Sequence, residues 1–166
     1  MKSDNIVLIG MPGAGKSTVG VILAKELCMD YVDTDVLIQL REGRTLQSIV
    51  DQQGYLALLA IEEDVISSTN FSGVVISTGG SAVYSEKAMT HLSANSQIVF
   101  IDVSYKEILR RVENFATRGI ARRPEQTLED LFDERHTLYC KYADIRVTSD
   151  GKTQEQVSRE IMELVR

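Results

Sequence analysis

Short runs of β-branched apolar residues alternate along this chain with longer stretches whose apolar positions recur at helical spacing. Ile6–Ile9 is apolar throughout, as a strand buried on both faces must be. Lys16 to Leu27 follows, with Val19, Ile22, Leu23 and Leu27 on one helical face. Tyr31–Val32 reads as a short strand ending at Asp33, Val36–Arg41 and Thr45–Asp51 as short helices, and Tyr55–Thr69 as a longer one. Val74–Ile76 is the next buried strand, with Gly73 before it and Gly79-Gly80 after it. Ser85 caps a helix to Leu92, Ile98–Ile101 is a strand, and Ser104-x-x-Glu107 is a capping box opening a helix to about Glu113. Phe115–Gln126 shows no period and reads as a loop or lid. Thr127 caps a helix to Ala143, Ile145–Val147 is a last strand, and Thr153–Val165 a final amphipathic helix. This alternation predicts a three-layer α/β fold, a parallel sheet with helices on both faces.

The chain has 166 residues, enough for one domain that buries roughly 70% of the surface its unfolded form exposes. A net charge of -6 argues against nucleic acid as a partner held by the overall field. No apolar run approaches the ~20 residues of a membrane span, and no signal-peptide core opens the chain. Cys28 and Cys140 stand far apart without metal or redox spacing, so free thiols in a cytoplasmic protein are expected. His91 and His136 show no nucleophile-and-acid constellation in the sequence.

Gly10-Met-Pro-Gly-Ala-Gly15-Lys16-Ser17 fits G-x-x-x-x-G-K-[ST] at every required position, between a buried strand and an amphipathic helix. Backbone N–H groups of such a loop converge on phosphate oxygens at the helix start. Gly13, Ala14, Gly15, Lys16, Ser17 and Thr18 form the expected ATP-binding set. Lys16 reaches for the β- and γ-phosphates as a catalytic residue, and the Ser17 hydroxyl for Mg²⁺. Water, another nucleotide and a small metabolite all stay open as phosphoryl acceptors.

Asp33-Thr34-Asp35 falls at a strand's carboxyl end, where ligands gather in such sheets. One carboxylate could face the metal and the other a substrate hydroxyl, or Asp35 could cap the following helix. Asp102 closes an apolar run and rivals Asp33 for the metal, but the capping serine just after it favours a structural role. Five arginines at 110, 111, 118, 122 and 123 concentrate positive charge in an otherwise acidic chain.

Over nearly its whole length the chain resembles the shikimate kinase family. The resemblance rests on Gly10 to Thr18, Asp33-Thr-Asp35, Glu62, Thr78-Gly79-Gly80, Arg123-Pro124, and Arg135-x-x-Leu138-Tyr139 before Ala143-Asp144. It implies a five-stranded parallel sheet with a mobile lid and ATP and Mg²⁺ as cofactors. It further implies a small hydroxylated acceptor and a monomer or weak dimer. By the same resemblance Asp33 joins Ser17 at the metal, and Asp35 binds acceptor hydroxyls and assists deprotonation. Gly79 and Gly80 line the acceptor pocket, and Arg135 pairs with the acceptor carboxylate. Arg110 lies near the adenine, and Arg123 is the catalytic lid arginine closing on the phosphates.

Departures from the family pattern gather on the acceptor side. Tyr55 replaces an acidic residue, Leu59 the arginine of an Arg-x-x-Glu motif, Ser81 a third glycine, and Glu125-Gln126 a Leu-Leu pair. Losing a charge-assisted contact to a buried carboxylate costs ~1.5–3 kcal/mol. The residues therefore leave open shikimate, a different hydroxylated acceptor, a gluconate- or nucleotide-type kinase, and an ATP-binding regulator.

Overall fold

The structure, a computed structural model, describes residues 4–112 and 119–165. Five strands form one parallel sheet: β1 (Asn5–Ile9), β2 (Asp30–Asp33), β3 (Val74–Ser77), β4 (Ser96–Asp102) and β5 (Ile145–Thr148), in the order β2-β3-β1-β4-β5. Every residue of β1 is buried, which suits the central strand of a sheet covered on both sides. Among the described residues there are eight α-helices, seven between strands and one after the last: α1 (Lys16–Leu27), α2 (Thr34–Glu42), α3 (Leu46–Gln53), α4 (Tyr55–Ser68), α5 (Glu86–Ser93), α6 (Tyr105–Arg111), α7 (Leu128–Tyr142) and α8 (Gln154–Leu164).

Helix α1 packs across β1, β2 and β3 and against α8, burying Val19, Leu23 and Ala24. Helices α5 and α7 pack on β4, with α4 against α5. A second, smaller core joins α2, α3 and α4 through Ile38, Ile49, Leu58 and Val65, and reaches Ala121 on the far side of the cleft. Tyr55 and Leu59 pack against it, so two of the departures from the family pattern are apolar contacts of this subcore.

Ser85 and Thr127 cap the helices that the sequence assigned to them, and Thr153 caps the last one. Thr127 and Thr153 each complete a reciprocal capping box, with Asp130 and Gln156, and Ser85 accepts from Ala88 N–H. At Ser104 only half of the expected box forms. Its hydroxyl accepts from Glu107 N–H, but the Glu107 carboxylate turns to Arg110 and Arg111. The stretch from Glu113 through Arg118, which includes the first part of the expected lid, lies outside the described residues.

Register levels the carboxyl ends of three adjacent strands. Asp33 of β2 pairs with Ser77 of β3, and Ser77 pairs with Leu8 of β1. The segments leaving these strands, 10–17, 33–35 and 78–81, therefore meet at one edge of the sheet, where open α/β sheets bind ligands.

Candidate functional site

A cleft of about 400 Å³ opens at that edge. Gly13, Gly15, Lys16, Ser17 and Thr18 form its floor, Asp35, Glu62, Gly79, Gly80 and Ser81 one wall, and Arg135 with residues 119–121 the other.

The floor is a closed phosphate loop. Ala14 N–H donates to the Met11 carbonyl, and the buried Lys16 ammonium donates to the carbonyls of Gly10 and Met11 at 2.7 and 2.8 Å. Gly15 adopts φ +92, a left-handed value open to glycine, and a side chain there would strike Gln154. Ser77 Oγ donates to the Lys16 carbonyl at 2.9 Å, fixing the start of α1 to β3.

Ser17 Oγ donates to Asp33 Oδ2 at 2.8 Å, so the two expected metal residues are brought together. A hydroxyl and a carboxylate at the phosphate loop are hard oxygen donors that suit Mg²⁺, which takes one or two protein ligands beside phosphate and water. Among the described residues no group of three or more His, Cys, Asp or Glu could hold a metal. Asp102 is engaged elsewhere, by Arg146 of β5 at 2.8 Å from Nε, in accord with a structural role.

Asp33 rather than Asp35 caps α2, accepting from Asp35 N–H at 2.9 Å. This leaves the Asp35 carboxyl free to face the cleft from the helix's first turn. Burial, and next the charge of Asp33, push it up to about 6 against the pull of Lys16 and Arg135. Gly79 N–H donates to Thr34 Oγ1, and a Cβ on Gly79 would stand 2.6 Å from both Asp35 Oδ1 and Glu62 Oε2. Only a residue without a side chain lets the wall pass between these two carboxyls.

Glu62 received no role from sequence reasoning, yet it is 3% exposed and lines the cleft. Its carboxyl is pushed up to about 7 by burial, then by Asp35. The signal was its spacing: Glu62 is the first of three acids after Leu56–Ile61, and it falls four residues after Leu58 and three before Val65, on the face of α4 that packs inward. Ser81 Oγ donates to Glu62 Oε1 at 2.6 Å.

Arg135 is 1% exposed, and it lies beside Gly80 and over the Tyr84 ring at 5.4 Å. Its Nη2 donates to the Ala121 carbonyl at 2.7 Å, while its Nε is buried with no hydrogen-bond partner among the described residues. An orphaned guanidinium N–H beside the cleft fits an anionic ligand group. Tyr139, one turn on, donates to the Gly80 carbonyl at 2.7 Å and holds the turn that Arg135 touches.

Four expected site residues do not line the cleft: Ala14 is fully buried, Asp33 meets the site through Ser17, and Arg110 and Arg123 are turned away. Arg110 is 73% exposed in its side chain and pairs with Glu107, because it projects from the outer face of α6. Its neighbour Arg111 turns inward instead, reaching the carbonyl oxygens of Gly13 and Ala14 at 3.5 and 3.4 Å. Arg123 is 58% exposed and pairs with Glu134 at 3.1 Å, since the chain turns away at Pro124 after residues 119–121 have covered the cleft. One constellation escaped the sequence: His136 stands 3.6 Å from Asp102 and 3.8 Å from Cys140 Sγ. It lies on α7 outside the residues that line the cleft.

A phosphate loop at the head of a five-stranded parallel sheet, facing a walled acceptor pocket, defines a phosphotransferase of the P-loop small-molecule kinase class. The family model described as shikimate kinase matches residues 12–166. The chain is 38% identical over 159 residues to a shikimate kinase from Sulfurihydrogenibium sp., covering 95% of each protein. The solved shikimate kinase from Aquifex aeolicus is 34% identical at TM-score 0.81, over 96% of this chain and 94% of that one. The enzyme from Acinetobacter baumannii, solved in complex with shikimate, is 28% identical at TM-score 0.87, covering 98% of this chain and 92% of that one. The chain belongs to the shikimate kinase family, whose members draw the phosphoryl group from ATP and pass it to an alcohol on a small molecule.

Proposed function

We propose that this single-domain protein transfers the γ-phosphoryl group of ATP to a hydroxyl of shikimate. The observation that carries this reading is Arg135, a buried guanidinium lining the same cleft as the phosphate loop and Asp35, whose Nε has no hydrogen-bond partner among the described residues. It offers a carboxylate-bearing acceptor a charged anchor in the cleft that the nucleotide loop also lines. Asp35 orients the acceptor hydroxyl and takes its proton as the new phosphate ester forms. Lys16 and the loop N–H groups hold the phosphates in line, and Gly79 and Gly80 let the acceptor approach the backbone. Ser17 and Asp33 would hold Mg²⁺, which supplies charge neutralisation on the phosphates when bound. Arg110 and Arg123 would join the nucleotide only by leaving Glu107 and Glu134. The protein works as a monomer or weak dimer in the cytoplasm.

The test is ADP release from Mg-ATP with shikimate, beside a blank without acceptor. A kcat/KM of ~10⁴ M⁻¹s⁻¹ or more is expected. A rate equal to the blank sinks shikimate as the acceptor, and Lys16→Ala with unimpaired turnover sinks the mechanism.

A further inference from the structure

Position 59 carries leucine where an arginine of the Arg-x-x-Glu pattern would stand, three residues before Glu62 on α4. Side chains three apart on a helix are neighbours, and Leu59 and Glu62 border the same small cleft beside Ser81 and Tyr84. An arginine at 59 would therefore reach the Glu62 carboxylate, hold it ionised and add a cation to this side of the pocket. Here Leu59 packs into the α2–α4 subcore. The hydrogen-bond donor on Glu62 is a serine hydroxyl, at a position where the family pattern has glycine.

The geometry assigns the two oxygens of Glu62 different jobs. Oε1 accepts from Ser81. Oε2 faces the Gly79 backbone opposite Asp35 Oδ1, each 2.6 Å from the same Cβ position, so the two carboxyl oxygens are at most about 5 Å apart. Two carboxylates this close, with one of them 3% exposed, repel unless one carries a proton. Among the described residues, the charged and titratable groups around Glu62 are Asp35 from α2, Lys16 from the phosphate loop, Arg135 and Tyr139 from α7, and, across the small cleft, Tyr84 and Glu63. Burial and Asp35 outweigh the two cations and Ser81, which places the balance near neutrality.

We propose that Ser81 and Glu62 together replace the arginine absent at position 59: Ser81 positions the carboxyl, and Glu62, holding a proton on Oε2, offers the acceptor a hydrogen-bond donor where it would otherwise present a negative charge. An anionic acceptor then binds with Arg135 as its arginine and without like-charge repulsion from the opposite wall. Ser81 acts through Glu62 and is a positioning residue. The inference rests on the shikimate reading for its kinetic test but not for its titration test.

Carboxyl ¹³C NMR titration of the full chain follows Glu62, assigned by its loss in Glu62→Gln. The expected wild-type midpoint lies near neutral pH, falling by at least about one unit in Leu59→Arg and rising in Ser81→Gly. At saturating Mg-ATP, the wild-type KM for shikimate rises about tenfold between pH 6 and pH 8.5 as that proton leaves. Glu62→Gln, neutral at every pH, flattens the profile. Ser81→Gly raises KM with kcat little changed, and Leu59→Arg in that background restores it. A wild-type midpoint in the ordinary carboxylate range, or Ser81→Gly leaving both midpoint and KM unmoved, overturns the proposal. A near-neutral midpoint that Leu59→Arg lowers, in a protein that does not phosphorylate shikimate, supports the pair and sinks only the acceptor.

Discussion

Ser17 Oγ stands 2.8 Å from Asp33 Oδ2, although sixteen positions separate the two residues in the chain. The parallel pairing of β2 with β3, and of β3 with β1, creates this proximity by bringing the end of β2 level with the start of the phosphate loop. Asp33 is also held by Asp35 N–H, so its carboxylate is oriented before any ligand arrives. The expected result of Asp33→Asn is a rise of about tenfold or more in the Mg²⁺ concentration for half-maximal rate, the size of loss typical of groups that orient a metal's ligands. Initial rates against Mg²⁺ at fixed ATP measure it, and an unchanged Mg²⁺ dependence would remove Asp33 from the metal site.

Glu62 makes stability fall as pH rises. In the unfolded chain this glutamate loses its proton near 4.5, whereas in the folded protein it holds it to about 7. Below 4.5 both states are protonated and nothing is lost. Between 4.5 and 7 the folded state binds more protons, so its stability declines with pH, and above 7 the full penalty is present. That penalty is on the order of 3 kcal/mol. Glu62→Gln removes it, so Tm should exceed the wild type by several degrees at pH 8.5 and by much less at pH 5. Thermal unfolding at the two pH values decides. An equal difference at both would mean that Glu62 is not ionised against its burial.

Arg110, Arg111 and Arg123 divide by orientation. Arg111 contacts the Gly13 and Ala14 carbonyls and is tied to Glu107, while Arg110 and Arg123 pair with acids on exposed faces. Exposed pairs of this kind contribute ~0–1 kcal/mol. Arg111→Ala should raise KM for ATP about fivefold or more, whereas Arg110→Ala and Arg123→Ala should each change it less than about twofold. Steady-state kinetics with ATP varied would test the order. A collapse of kcat in Arg123→Ala would instead mean that Arg123 leaves Glu134 during turnover.

Gly79 separates the carboxyls of Asp35 and Glu62. A methyl group there meets both at 2.6 Å, closer than side-chain contacts occur, so at least one carboxyl must move. Displacement of this order costs about 10²-fold in kcat/KM. Gly79→Ala should show that loss with the acceptor varied and a KM for ATP near the wild type, because the loop floor is untouched. Equal damage to both substrates would point to a general loss of folding instead.

How much of this could be read along the chain follows from the range of each interaction. The phosphate loop is strand, turn and helix in one continuous segment, so its residues sit where the motif requires. Thr127 and Ser85 cap as read, since a cap is completed within three residues, and Thr153, read as the first residue of the last helix, proves to be its cap. Ser104 shows the limit of that logic: Glu107 had the right spacing, but two arginines a turn further on took its carboxylate. Strands β3 and β4 extend beyond their apolar cores to Ser77 and Asp102, because pairing with neighbours, not hydropathy, ends them.

The sequence by itself determined the strand–helix order, the nucleotide loop and the residue types of the acceptor wall. It also carried the family pattern, with its departures at Tyr55, Leu59 and Ser81. Only the tertiary structure decided that Arg111 and not Arg110 faces the loop, that Arg123 lies over α7, and that Leu59 belongs to a second core. It alone placed Glu62 between Ser81 and Asp35. Adjacent helical residues project about 100° apart. Which of them meets the site is fixed by how each helix seats on the sheet, and that seating depends on contacts between segments far apart in the chain.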